Sequence, residues 1–140
     1  MATTQYNLEY YIDTAHELAE KVASKADQID EQRQIPSELA SEFAQKGFFR
    51  LLQPSSSGGA QLDHPDFLKI LEIFADVDGS TGWCINQNNV HATNILRMTP
   101  KVADEIYSDD SAVVTNGPPT SSVQAIPCDG GYRILSLIHI

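Results

Sequence analysis

The chain has 140 residues, ordinary for one domain, and 41% of them are hydrophobic, so a packed core is within reach and disorder throughout is excluded. Nine basic residues face nineteen acidic ones, a formal charge of -10, which argues against a nucleic-acid or anionic-membrane surface because both need clustered Lys and Arg. No basic stretch leads into an apolar run at the start, no segment approaches membrane-spanning length, and Cys84 and Cys128 lack the spacing of a metal site or redox pair, so free thiols in a reducing cytoplasm are expected.

Leu8, Ile12, Ala15, Ala19, Val22, Ala26 and Ile29 recur at three- and four-residue steps and predict one amphipathic helix. Polar Asp30 to Gln34 breaks it. Pro36 suits the first turn of a short second helix that turns Leu39 and Phe43 inward, with Gly47 as its C-terminal cap. Apolar Phe48 to Leu52 ends at Pro54, and Ser55 to Gly59 reads as a flexible loop. Asp63 is the predicted N-cap of the next helix, with Pro65 just inside. Phe67, Leu68, Ile70, Leu71, Ile73, Phe74 and Val77 leave it only a narrow polar strip, so burial between neighbours is expected.

Gly79 stops that helix. Ser80 can cap another, running to about Leu96, and Thr99-Pro100 open a short one ending near Tyr107. From Ser111 the texture changes. Ala112 to Thr115 reads as a strand and Gly117 to Thr120 as a turn-rich loop. Val123 to Ile126 and Tyr132 to Ile134 read as strands flanking an Asp129-Gly130-Gly131 turn. The expected fold is therefore mainly α: a helical domain over 1–110 with about five helices, then the beginning of a β region over 111–134. So small a sheet is marginal in water and needs further strands, the first sign of truncation.

The helix after Ser80 carries Trp83, Gln87 and His91 at i, i+4 and i+8, with Asn94 three residues on, so all four share one face. Asn86 and Asn89 add amide groups. The neighbouring helices are strongly apolar, so this one is expected to pack centrally. Its polar stripe then meets a ligand cavity, a subunit interface or solvent, and spacing leaves these open on equal terms. Taken singly, Trp83 reads as core and His91 as a satisfied structural histidine, while His16 and His64 read as surface. There is no ligand set for a metal, no phosphate-cradling loop, no Ser nucleophile elbow and no paired catalytic carboxylates.

At Asp78-Gly79-Ser80-Thr81-Gly82-Trp83 the sequence resembles the acyl-CoA dehydrogenase superfamily, and within it the oxygenase components of two-component flavin monooxygenases acting on aromatic compounds. Further pieces stand in order: Ile35-Pro36, Gly47-Phe48-Phe49-Arg50-Leu51-Leu52-Gln53-Pro54 leading into Gly58-Gly59, Glu72, His91, Asn116-Gly117-Pro118 and Gly130-Gly131-Tyr132. The resemblance covers about residues 8 to 134. It implies the N-terminal helical domain of that fold followed by the first strands of its middle β-barrel domain. It also implies a flavin, reduced FMN or FAD. Trp83 would lie beside the isoalloxazine ring, the Asn116-Gly117-Pro118 backbone would approach the flavin, and His91 and Gln87 would line the substrate pocket. The implied reaction is hydroxylation of a phenolic small molecule with O₂ and reduced flavin from a separate reductase, in a homotetramer.

Where acyl-CoA dehydrogenases proper usually carry a Thr-Glu-Pro stretch, Thr115-Asn116-Gly117-Pro118-Pro119 stands here, which favours the monooxygenase branch over an FAD-dependent acyl-CoA dehydrogenase. A non-catalytic helical interaction module is the reading from another class. The family's C-terminal bundle is missing, so no catalytic base is named and the chain is expected to be inactive alone. Residues 135–140 read Leu-Ser-Leu-Ile-His-Ile. A reverse translation matches the end that a transposase attaches in DNA library preparation. The six are expected to be a sequencing artefact, with a natural apolar strand as the alternative.

Overall fold

The computed structural model describes residues 7–109, 111–115 and 124–135. Helix α1 spans Leu8–Ser24, with the Asn7 side chain accepting from the Tyr10 N–H at its start. Thr14, Ala15, Leu18, Ala19 and Val22 form its buried stripe. The single helix predicted through Ile29 is in fact two, since α1 breaks at Lys25 and α2 runs over Ala26–Gln32. The break has a local cause. The Ser24 hydroxyl donates to the Lys21 carbonyl at 2.7 Å, and the Lys25 N–H turns to Val22 at 3.0 Å instead of continuing the ladder.

Helix α3 covers Ser37–Gln45, with Pro36 immediately ahead of it. Gly47, at φ 80°, ends the helix as read, and the Phe48 N–H closes back on the Phe43 carbonyl at 2.9 Å. Helix α4, His64–Val77, starts on Asp63, whose carboxylate accepts from the Asp66 N–H at 2.9 Å, with Pro65 in the first turn as predicted. Helix α5 spans Gly79–Ala92 and passes into a 3₁₀ turn at Thr93–Arg97; α6 spans Pro100–Tyr107.

Strands β1, Gln124–Cys128, and β2, Gly131–Leu135, pair antiparallel, with Gln124 opposite Leu135 and Cys128 opposite Gly131. Ala112 to Thr115 form no strand: the predicted apolar run has no ladder partner among the described residues, and Val114 instead packs on a helical cluster. Gly117 to Thr120, Val123 and Ser136 to Ile140 lie outside the described residues, so the expectations placed on them stay as expectations. No described helix is long and apolar enough to cross a membrane.

The core gathers α1, α3, α4 and the Phe48–Leu52 segment. Phe43, Phe48 and Phe74 are fully buried at its centre. The Phe43 and Phe48 rings each meet Phe74 edge-on, at centroid distances of 5.4 and 5.6 Å. Helix α4 lies between α1 and α5, yet only Phe67, Ile70 and Phe74 are buried along it, and Leu68 is 56% exposed. The helix is thus flanked by neighbours as expected, but among the described residues they cover only part of its surface. A second, smaller cluster joins Ala92, Ile95, Ala103 and Tyr107 at the far end of α5.

Candidate functional site

The start of α5 is set by Asp78, not by Ser80. The Asp78 carboxylate accepts from the Thr81 N–H at 2.7 Å and from the Ser80 hydroxyl at 2.8 Å. Burial raises the Asp78 carboxyl, but the hydrogen bonds from Thr81 and Ser80 outweigh it and leave the group below its ordinary value. Its contribution to stability is therefore complete above the ordinary carboxylate range and is lost as pH falls through the lowered folded value. Asp78→Ala is expected to cost about 1 kcal/mol at neutral pH. Urea melts should show that difference shrinking below about pH 4, and a constant difference down to acid pH would refute the carboxylate's role.

Gly82, in the Ser-Thr-Gly-Trp segment, brings α5 onto α4: a Cβ there would sit 3.2 Å from the Cα, Cβ and backbone N of Ala75. Thr81, Gly82, Ile85, Asn89 and Ala92 make the buried face of α5. The opposite side carries Trp83, 63% exposed, with Gln87, His91 and Asn94 half-buried. The central packing expected for this helix is not what the described residues show: α5 lies on one side of α4 with its polar stripe outward. Trp83 is not core.

The amide that matters most inside is Asn89, which is fully buried. Its Oδ1 accepts from the Leu51 N–H at 2.6 Å and the Leu52 N–H at 3.3 Å, while Nδ2 donates to the carbonyls of Phe48 at 2.7 Å and Ile85 at 2.9 Å. Three of these four bonds go to the irregular Phe48–Leu52 segment and the fourth to α5 itself, so all its polar capacity is used. Sequence reasoning treated Asn89 as one more amide beside the stripe. The signal was present in the spacing of Thr81, Ile85, Asn89 and Ala92, which places Asn89 on the apolar face. From the same segment the Arg50 guanidinium, itself buried, donates to the carbonyl of Tyr107 at 3.1 Å and to that of Asp109.

Both cysteines are free. Burial pushes the Cys84 thiol up and the nearby Asp78 carboxylate adds to it, so Cys84 is a poor thiolate at neutral pH. An open groove of about 820 Å³ runs between α1 and α4 past His16, Glu20, Glu72 and Asp76, and no residue of the Trp83 stripe lines it. No three His, Cys, Asp or Glu side chains among the described residues are placed so that they could hold a metal ion. His16 and His64 are exposed.

The family described as acyl-CoA dehydrogenase, N-terminal domain, matches residues 7–105. The chain belongs to this family. It is 27% identical over 117 residues to the flavin-dependent monooxygenase, oxygenase subunit HsaA, of Mycobacterium tuberculosis (strain CDC 1551 / Oshkosh), covering 84% of this chain and 30% of that protein. Against the p-hydroxyphenylacetate 3-hydroxylase, oxygenase component, of Acinetobacter baumannii it is 23% identical over 99 residues, or 71% and 24% of the two chains. A crystal structure of the HsaA monooxygenase from M. tuberculosis matches with a TM-score of 0.78 at 26% identity, over 91% of this chain and 35% of that one.

The resemblance to this superfamily and the mainly helical fold read from the sequence are both borne out. The chain spans about 30% of the length of the HsaA subunit it matches. For a flavin, the donor set on α5 fits: an exposed indole offers an aromatic wall, and half-buried amide and imidazole groups flank it. Asn116, Gly117 and Pro118 lie outside the described residues.

Proposed function

We propose that this chain is the N-terminal helical part of a cytoplasmic flavin-dependent monooxygenase, an oxygenase component that hydroxylates a phenolic or other aromatic small molecule. Reduced FMN or FAD comes from a separate reductase, and the complete protein is a homotetramer. The observation that carries this reading is the likeness to flavin-dependent oxygenase subunits along 84% of the chain. The division into a helical domain over 1–110 and the start of a β domain over 111–134 belongs to the same proposal.

The flavin, when bound, supplies the oxygen chemistry: one atom of O₂ enters the substrate and the other leaves as water. The chain's own residues hold and shield. Trp83 would form an aromatic wall for the flat ring, and Asn116, Gly117 and Pro118 would hold its polar edge. His91 and Gln87 take the substrate, the imidazole as partner for a phenolic oxygen or its proton. The exposure of Trp83 supports this, because an indole on the outer face of an anchored helix is open to a ligand.

Trp83→Ala in the full-length oxygenase is expected to weaken reduced-flavin binding by roughly three- to tenfold, the worth of one aromatic contact. Equilibrium dialysis against FMN and FAD measures it. Unchanged affinity would remove Trp83 from the cofactor site. FAD retained through purification would favour the acyl-CoA dehydrogenase branch.

A further inference from the structure

The Phe48–Gln53 segment faces two ways. Its backbone is gripped by Asn89 of α5 through Phe48, Leu51 and Leu52. Its one cation, Arg50, reaches the opposite way to the end of α6, where a terminal nitrogen serves the carbonyls of Tyr107 and Asp109. Those carbonyls belong to the last turn of α6 and the residues just after it, where a helix leaves acceptors unsatisfied and where its dipole favours a positive charge. The segment is itself rigid. Arg50 donates its backbone N–H to Gly47 at 3.0 Å and accepts from Ala60 at 2.9 Å, and Leu51 accepts from Leu62 at 2.8 Å. Two consecutive residues, Arg50 and Leu51, thus join α6 to α5 although they stand 57 and 38 positions from their partners in sequence.

We infer that Arg50 is a positioning residue for the flavin: it fixes where the chain leaves α6, toward Val114, relative to the Trp83–Asn94 face of α5. The inference rests on the proposed reading of that face as the flavin side. Among the described residues the apolar cluster beneath this junction is small: Ala92, Ile95, Ala103 and Tyr107, with Met98 and Val114 packed on it. Apolar contact alone does not set an orientation, because it lacks direction. A guanidinium shared by two carbonyls does.

The test uses the full-length oxygenase with FMN and FAD as probes, at a temperature where circular dichroism shows each variant folded. Arg50→Ala is expected to weaken reduced-flavin binding by roughly tenfold and to shift the absorption bands of the bound flavin. Arg50→Gln keeps one amide donor on a shorter stem and should fall between. Trp83→Ala runs alongside. Weakened binding in both Trp83→Ala and Arg50→Ala, with helix content kept, upholds the inference. If Trp83→Ala weakens binding while folded Arg50→Ala keeps the parental affinity and flavin spectrum, Arg50 is merely structural: the inference is overturned and the flavin reading of α5 stands. If Trp83→Ala has no effect, that reading fails and the inference with it. Should Arg50→Ala not fold, Arg50→Gln decides by the same comparison.

Discussion

Asn89→Leu is expected to lower the unfolding free energy by about 4 kcal/mol, because it keeps the volume of the side chain and removes every polar contact it makes. The Leu51 N–H and the Phe48 carbonyl lose their partner on α5 and have no water in reach. Each buried group orphaned in this way costs about 1–3 kcal/mol. The Leu52 N–H, held at 3.3 Å, adds less, and the Ile85 carbonyl keeps a place in the helix ladder. Urea unfolding at constant m-value measures the loss. Asn89→Ala should cost less, since the space left can admit water to the freed groups. A loss below about 1 kcal/mol in Asn89→Leu would mean that the Phe48–Leu52 segment finds other partners and that Asn89 does not organise it.

Gly59→Ala is the other large effect. A Cβ at this position would lie 2.0 Å from the carbonyl oxygen of Gln53 and 2.4 Å from its carbon. Both are backbone atoms, so no rotamer change relieves the contact. The 53–62 loop must open, at the expense of the bonds from Gly59 to Pro54, Ala60 to Arg50, Gln61 to Gln53 and Leu62 to Leu51. A loss of at least about 3 kcal/mol is expected, at the upper end of overpacking effects. Gly58 is the control. It sits at φ 83°, and a Cβ there would meet Arg50 Nη1 at 3.9 Å, an ordinary contact, so Gly58→Ala should cost only the left-handed backbone strain, about 1–2 kcal/mol. Equal effects at the two glycines in denaturant melts would contradict this account. Adjacent residues of one type are thus required for different reasons, close approach at Gly59 and backbone sign at Gly58.

Much of the architecture was legible because local rules had no competitor. Asp63 followed by Pro65 starts a helix, Gly47 ends one, and Thr99-Pro100 opens another. The break at Lys25 was not legible. The apolar period runs straight through it, and the hydroxyl of Ser24 makes the difference by taking a carbonyl from the ladder. The strand expected at Ala112 to Thr115 failed for a related reason. An apolar run can satisfy itself against helices, and Val114 does so.

The candidate site divides in the same way. The spacing of Trp83, Gln87, His91 and Asn94 determines by itself that they share one face of α5, since helical geometry alone sets it. Likewise the order of short motifs along the chain suffices to assign the family, because it survives without any knowledge of contacts. Which way that face turns is decided only by the tertiary structure. Gly82 lets α5 settle on Ala75, and Asn89 is drawn inward to four backbone groups, leaving the Trp83 stripe outward. A buried amide and an exposed indole look reversed to any rule that ranks residues by hydrophobicity. The inversion arises because the unpaired backbone of a neighbouring segment costs more to leave unsatisfied than an exposed Trp costs to leave in water.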